Sequence, residues 1–221
     1  MNDVLEPNGY KNNPDIDSEA LARINSNQRL RGIELERKIV GRLQGLVDGF
    51  DGHKLWWGNK DTDNPNIGYF SNVGKGLPPE TLSELLIGGI FPDIDILIAN
   101  QTNEVVCVIS SKGSLCDSNA YASALHAQNL NCPFYVVTKD EPGVYKSGKS
   151  KYITLYRNLG LKVFISNHDD YTNDKGLTES GKWEGYHWND VVQPEHRLHD
   201  EIFNEIQKKN SEHRFFDFEK I

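Results

Sequence analysis

The sequence predicts an α/β fold in which a mixed β-sheet is flanked by helices. Three observations carry that reading. The apolar segments follow the order helix, hairpin, helix, strand, helix, strand, which is the order of an α/β core. Residues 31–47 hold a stripe of Leu35, Ile39, Leu43 and Leu46 at helical spacing. Two apolar strands, 94–99 and 104–110, flank the polar turn Gln101-Thr102-Asn103, which is hairpin chemistry.

In chain order, residues 1–17 are rich in Asn, Asp, Pro and Gly and read as an irregular arm. Ser18 then caps a helix, with Glu19 just inside it, and the striped segment 31–47 forms a second helical stretch. Residues 48–76 alternate Gly, Asn and Asp with Leu55-Trp56-Trp57 and Ile67-Gly68-Tyr69-Phe70, so short strands or wrapping loops are expected. Pro78-Pro79-Glu80 starts a helix that runs to about residue 87, where Gly88-Gly89 ends it. The hairpin follows, then an Ala-rich helix over 119–130, a strand over 132–138, a helix over 152–159 and a strand over 161–166. Residues 167–197 read as loops holding Trp183, Tyr186 and Trp188. A helix over 200–209 and an aromatic, acidic tail close the chain. The expectation is one domain over 1–221, with the arm 1–17 and a C-terminal extension 167–221.

The bulk composition narrows the function classes. With 221 residues, 37% hydrophobic and 25% charged, the chain has the make-up of a globular protein with a sizeable core. Its longest nearly apolar run, 85–91, is far too short for a bilayer span, and the N-terminus has no basic-then-apolar leader pattern. Three cysteines, two of them in or beside strands, make no disulfide framework and no zinc spacing, which suits a reduced cytoplasm. The net charge of −8 argues against indiscriminate nucleic-acid binding but leaves room for a basic cleft.

The chemistry concentrates at the hairpin. An antiparallel hairpin brings its start beside its end, so Asp93 is expected next to Lys112. Pro92 restricts the backbone before Asp93, and Asp95 alternates to the same face as Asp93. Carboxylates at a sheet rim, helped by the Ser111 carbonyl, suit a hard divalent cation such as Mg²⁺. Lys112 would orient an attacking water or stabilise charge on a phosphate.

Pro92-Asp93, a strand, a turn and a strand ending in Ser110-Ser111-Lys112 resemble the PD-(D/E)xK nuclease superfamily, and within it the type II restriction endonucleases. Sixteen residues lie between Asp93 and Ser110, inside the family's range, and the resemblance covers roughly residues 30–166. It implies a restriction-endonuclease-like core and Mg²⁺-dependent hydrolysis of double-stranded DNA at a specific short sequence by a homodimer. Asp93, Ser111, Glu36, Glu34 and Asp95 would supply metal ligands, with Asp93, Lys112, Ser110 and Glu36 as the catalytic group. The family expects a carboxylate where this chain has Ser110. A branch of type II enzymes that cuts around a CCGG core also has Ser-x-Lys and recovers the acid from a glutamate on the next helix. Here residues 119–130 contain no acid, so the candidates are Glu34, Glu36, Glu84, Asp95 and Asp117. The alternatives are a repair or mobile-element nuclease, or a non-cleaving DNA-binding or assembly protein on a degenerate nuclease fold.

Duplex contacts need positive charge. Residues 139–162 hold Lys139, Lys146, Lys149, Lys151, Arg157 and Lys162 against Asp140 and Glu141. Thr138 and Lys139, at a strand end beside the cleft, are expected to face the duplex. Asn59, Lys60, Asn72 and Lys75 form a second loop-borne group with amide and ammonium donors suited to base edges. His126 reads as a packed helix residue, and His168-Asp169-Asp170 as a turn.

Overall fold

The structure is a computed structural model and describes residues 18–60, 64–139, 150–166, 188–190 and 197–218. The N-terminal arm 1–17, Lys146, Lys149 and the His168-Asp169-Asp170 sequence lie outside these.

Helix α1 (Ser18–Val47) is one continuous helix where the sequence suggests two. Gly32 does not interrupt it. Strands β1 (Lys54–Trp57) and β2 (Gly68–Tyr69) follow, then the short helix α2 (Pro79–Leu85). The hairpin is β3 (Ile96–Ala99) and β4 (Val105–Lys112). Helix α3 (Asp117–Asn129), β5 (Phe134–Thr138), α4 (Lys151–Asn158) and β6 (Lys162–Ser166) come next. The edge strand β7 (Trp188–Asp190) and helix α5 (Leu198–Phe218) complete the described fold. The sheet is mixed, with the order β2-β1-β3-β4-β5-β6-β7. Strands β1, β3 and β4 pair antiparallel, β4, β5 and β6 pair parallel, and β7 runs antiparallel on the far edge. Among the described residues no helix is long and apolar enough to cross a membrane.

Strand alternation puts a different core on each face of the sheet. Ile96, Ile98, Ile109 and Val137 pack with Leu35, Ile39 and Leu43 of α1 and with Leu198, Ile202 and Ile206 of α5. Leu97, Val108 and Val136 pack with Ala120 and Ala124 of α3 and with Ile153 and Tyr156 of α4. The adjacent tryptophans divide accordingly, Trp57 to the first core and Trp56 to the second.

The hairpin differs from its sequence reading at both ends. Strand β3 begins later, at Ile96, with a bend at Asp95, which stays tied to both neighbours: its N–H donates to the Ile109 carbonyl at 3.0 Å and its own carbonyl accepts from Gly58 N at 2.8 Å. Strand β4 continues through Lys112, because parallel pairing with β5 carries it on, Ser110 opposite Val136 and Lys112 opposite Thr138. In the turn, the Asn100 side-chain oxygen accepts from Thr102 N at 3.0 Å and Glu104 N at 2.9 Å, and Asn103 adopts φ 67°. Helix α2 ends at Leu85, before the two glycines. Gly88 and Gly89, at φ 58° and 83°, instead form the tip of a tight turn bridged by Ile87 and Ile90.

Candidate active site

The β3–β4 hairpin and α1 together form the site. Lys112, on the last residue of β4, donates from Nζ to Asp93 Oδ2 at 2.9 Å. The lysine is mostly covered, at 12% exposure, whereas Asp93 is 71% exposed, so the carboxylate faces solvent with the ammonium beneath it. Asp95 accepts a backbone hydrogen bond from Ser111 N at 2.6 Å, and the Ser110 hydroxyl stands 3.5 Å from the same oxygen. Burial pushes the Asp95 carboxyl up. Lys112, the Ser111 N–H and the Ser110 hydroxyl oppose that rise, and the Asp93 charge adds to it.

Glu36 of α1 reaches the same neighbourhood. Its Oε2 accepts from Trp57 Nε1 of β1 at 2.8 Å. Burial, and then the charge of Asp95, raise its pKa to about 7. The Trp57 N–H and Lys112 hold it down, and Asp93 raises it further. Three carboxyl groups and one lysine therefore act on one another electrostatically. His126 of α3 belongs to the same group: burial lowers its pKa, Asp93 opposes that and Lys112 adds to it. A cavity of about 580 Å³ opens beside these groups, with Glu36, Asp93 and Asp95 in its lining. Asn59, Lys60, Tyr69 and Asn72, from the ends of β1 and β2, also line it.

Other expected site residues do not reach this cavity. Glu34 is exposed and pairs with Lys38 one turn along α1 at 3.0 Å. Ser111 contributes its N–H to Asp95, and its hydroxyl is buried with no hydrogen-bond partner among the described residues. Glu84 accepts from Val105 N at 3.0 Å and so ties α2 to the start of β4. Thr138 and Lys139 require a correction. Both were expected to face a duplex and are buried, at 0% and 6% exposure; Thr138 lies in the parallel ladder opposite Lys112, and Lys139 follows it directly. Lys151 is exposed, with its ammonium 4.7 Å from the Tyr152 ring centroid, while Lys162 is engaged by Glu201 at 2.7 Å.

Sequence reasoning missed the Trp57 contact, Tyr69 and the position of His126. A signal for the first was present: a tryptophan in a buried strand needs an acceptor for its indole N–H, and an acidic residue on a packed helix is an obvious source. The donors around the cavity are carboxylate oxygens, the class that a hard divalent cation takes. Asp93 is engaged by Lys112 and Glu36 by Trp57, and among the described residues no three His, Cys, Asp or Glu side chains are arranged to hold a metal ion. The chemistry of the donor set suits such an ion, and the side-chain arrangement would have to change to receive it. Compared with protein-family models, with curated proteins and with solved structures, the chain finds no match.

Proposed function

We propose that this chain is a Mg²⁺-dependent endonuclease of the restriction type that hydrolyses double-stranded DNA at a short specific sequence and works as a homodimer. The observation that carries the reading is the Asp93–Lys112 pair at the sheet rim, coupled to Asp95 and Glu36 beside one cavity. On this reading Glu36, from the helix before the hairpin, takes the place of the carboxylate expected at Ser110.

Asp93, Asp95 and Glu36 would hold the ion. When bound, it supplies a Lewis-acidic centre that polarises the phosphate and favours ionisation of a water. Lys112, released from Asp93, hydrogen-bonds the attacking water or the charge developing on the phosphate oxygens. Glu36, with its pKa near 7, is in part protonated around neutrality and ionises above it. Trp57 fixes the orientation of that carboxyl through its indole N–H.

A second reading, a non-cleaving DNA-binding protein on the same scaffold, is favoured by Ser110 and by the engaged state of Asp93. Digestion of a long unmodified DNA with and without Mg²⁺ separates the two. Discrete fragments only in the presence of the ion support the nuclease, while intact DNA after incubation with folded wild-type protein rejects it. Asp93→Ala and Lys112→Ala are each expected to cut at least about a hundredfold more slowly with an unchanged circular dichroism spectrum. Retained rates would remove those residues from the mechanism.

A further inference from the structure

The cavity is wider than the carboxyl cluster, and its remaining lining is organised. Gly58 N donates to the Asp95 carbonyl at 2.8 Å, so the segment bearing Asn59 and Lys60 is fastened directly to an acidic residue of the site. Phe70 N donates to the Trp57 carbonyl at 3.2 Å, which holds the end of β2 against β1. The next turn is closed twice: Ser71 N donates to the Lys75 carbonyl at 2.9 Å, and Lys75 N donates to Ser71 Oγ at 3.1 Å. That closed turn carries Asn72, which is exposed. Lys60 holds its ammonium 5.1 Å from the Tyr69 ring centroid.

The charges on this lining are unequal. Glu36, Asp93 and Asp95 are acidic, and Lys60 is the one cation among the described residues that line the cavity. A polyanion entering here meets carboxyl groups on the hairpin side and the Lys60 ammonium on the β1–β2 side. An ammonium is a point donor suited to a phosphate oxygen, and an exposed Asn amide offers the donor and acceptor that base edges present.

We propose that the β1–β2 side of the cavity grips the nucleotide next to the cleaved phosphate, Lys60 on that nucleotide's phosphate and Asn72 on its base edge. The proposal rests on the nuclease reading and adds to it a division of labour. The hairpin and α1 carry the chemistry, and the β1–β2 rim carries strand grip and sequence choice.

The test uses the full chain. Sequencing the fragment ends of the Mg²⁺ digest gives the site, and a short duplex carrying it is then bound in Ca²⁺ over a series of salt concentrations. Lys60→Ala is expected to bind more weakly at every site sequence and to lower the slope of log affinity against log salt by about one, with Lys60→Arg restoring it. Asn72→Ala is expected to keep the wild-type salt slope but to leave fragment ends at a broader set of sequences. Both residues are exposed, and circular dichroism checks that the variants fold. A wild-type slope in Lys60→Ala, or wild-type fragment ends from Asn72→Ala, overturns the proposal while wild-type cleavage leaves the nuclease reading standing. Wild-type protein that neither cuts nor binds DNA removes both.

Discussion

Glu36 shows how one side chain acquires its properties from three elements. It sits on α1, is hydrogen-bonded from β1, and feels Asp95 at the hairpin entrance. Its raised pKa has a thermodynamic consequence. Between the ordinary carboxylate value and about 7 the folded chain binds more protons than the unfolded one, so stability falls as pH rises through that window. Metal-free Glu36→Gln is therefore expected to lose this slope: it should be more stable than wild type above pH 7, with the gap closing toward the acid end. Urea midpoints across the pH range check this, and parallel curves for the two proteins would show that Glu36 is not the titrating group. Much of the residue-scale picture was legible in advance. The Asp93–Lys112 contact follows from hairpin geometry alone, and Ser110 stood out as the position where the nucleases that the sequence resembles carry an acid. Glu36 was harder to read. It stands three, four and seven residues before Ile39, Val40 and Leu43, all buried, so helical spacing puts it on the packed face of α1, and what the sequence does not show is that Trp57 donates to it there. Thr138 misled because sequence separates it from β4, whereas the sheet lays it opposite Lys112.

Among the elements, α1 was readable from its stripe, though as two helices and not one, α3 from its alanines, and the hairpin, β5 and β6 from their apolar runs. The short ones were not. Strand β2 is two residues and β7 three, too short for alternation to show, and their existence depends on pairing with β1 and β6. Helix α2 gave a clear start at Pro78-Pro79 but a misplaced end, because the glycines serve the next turn. Its role is to brace the hairpin, with Glu84 receiving the buried Val105 N–H and Thr81 donating to the Asn103 carbonyl at 2.5 Å. Glu84→Ala is expected to cost about 1–3 kcal/mol by stranding that amide. A chemical-denaturation series measures it, with Glu84→Gln recovering part of the loss. No change in Glu84→Ala would mean that solvent satisfies Val105. The β1–β2 segment had been read only as strands or wrapping loops, yet Asn59, Lys60 and Asn72 were already candidates on residue chemistry. The fold adds their meeting in one cavity with the acids.

For the molecule as a whole, the fold class was legible and its finer classification stays with the proposal. An alternating order of helices and strands dictates a layered sheet, and two apolar faces on the parallel strands require helices on both sides. Helix α5 supplies part of one layer through Leu198, Ile202 and Ile206, a four-residue repeat visible in the sequence. If the proposed site is palindromic, its recognition by one cavity per chain requires two copies related by a two-fold axis. The wild-type protein bound to its site in Ca²⁺ is therefore expected to sediment with twice the 25.1 kDa chain mass plus the duplex. A single chain on the duplex would argue for a nicking or single-strand activity instead.

The ion pair at the rim has a consequence beyond locating the site. Its ammonium occupies an oxygen of Asp93, so on the proposed reading a cation bound there would compete with Lys112. Each weakens the other's hold, and by reciprocity whatever loads the carboxylate also liberates the amine. On the proposed nuclease reading, the unloaded protein holds Lys112, the group that would handle the nucleophile, on its own acid. A single displacement would then ready both halves of the chemistry at once.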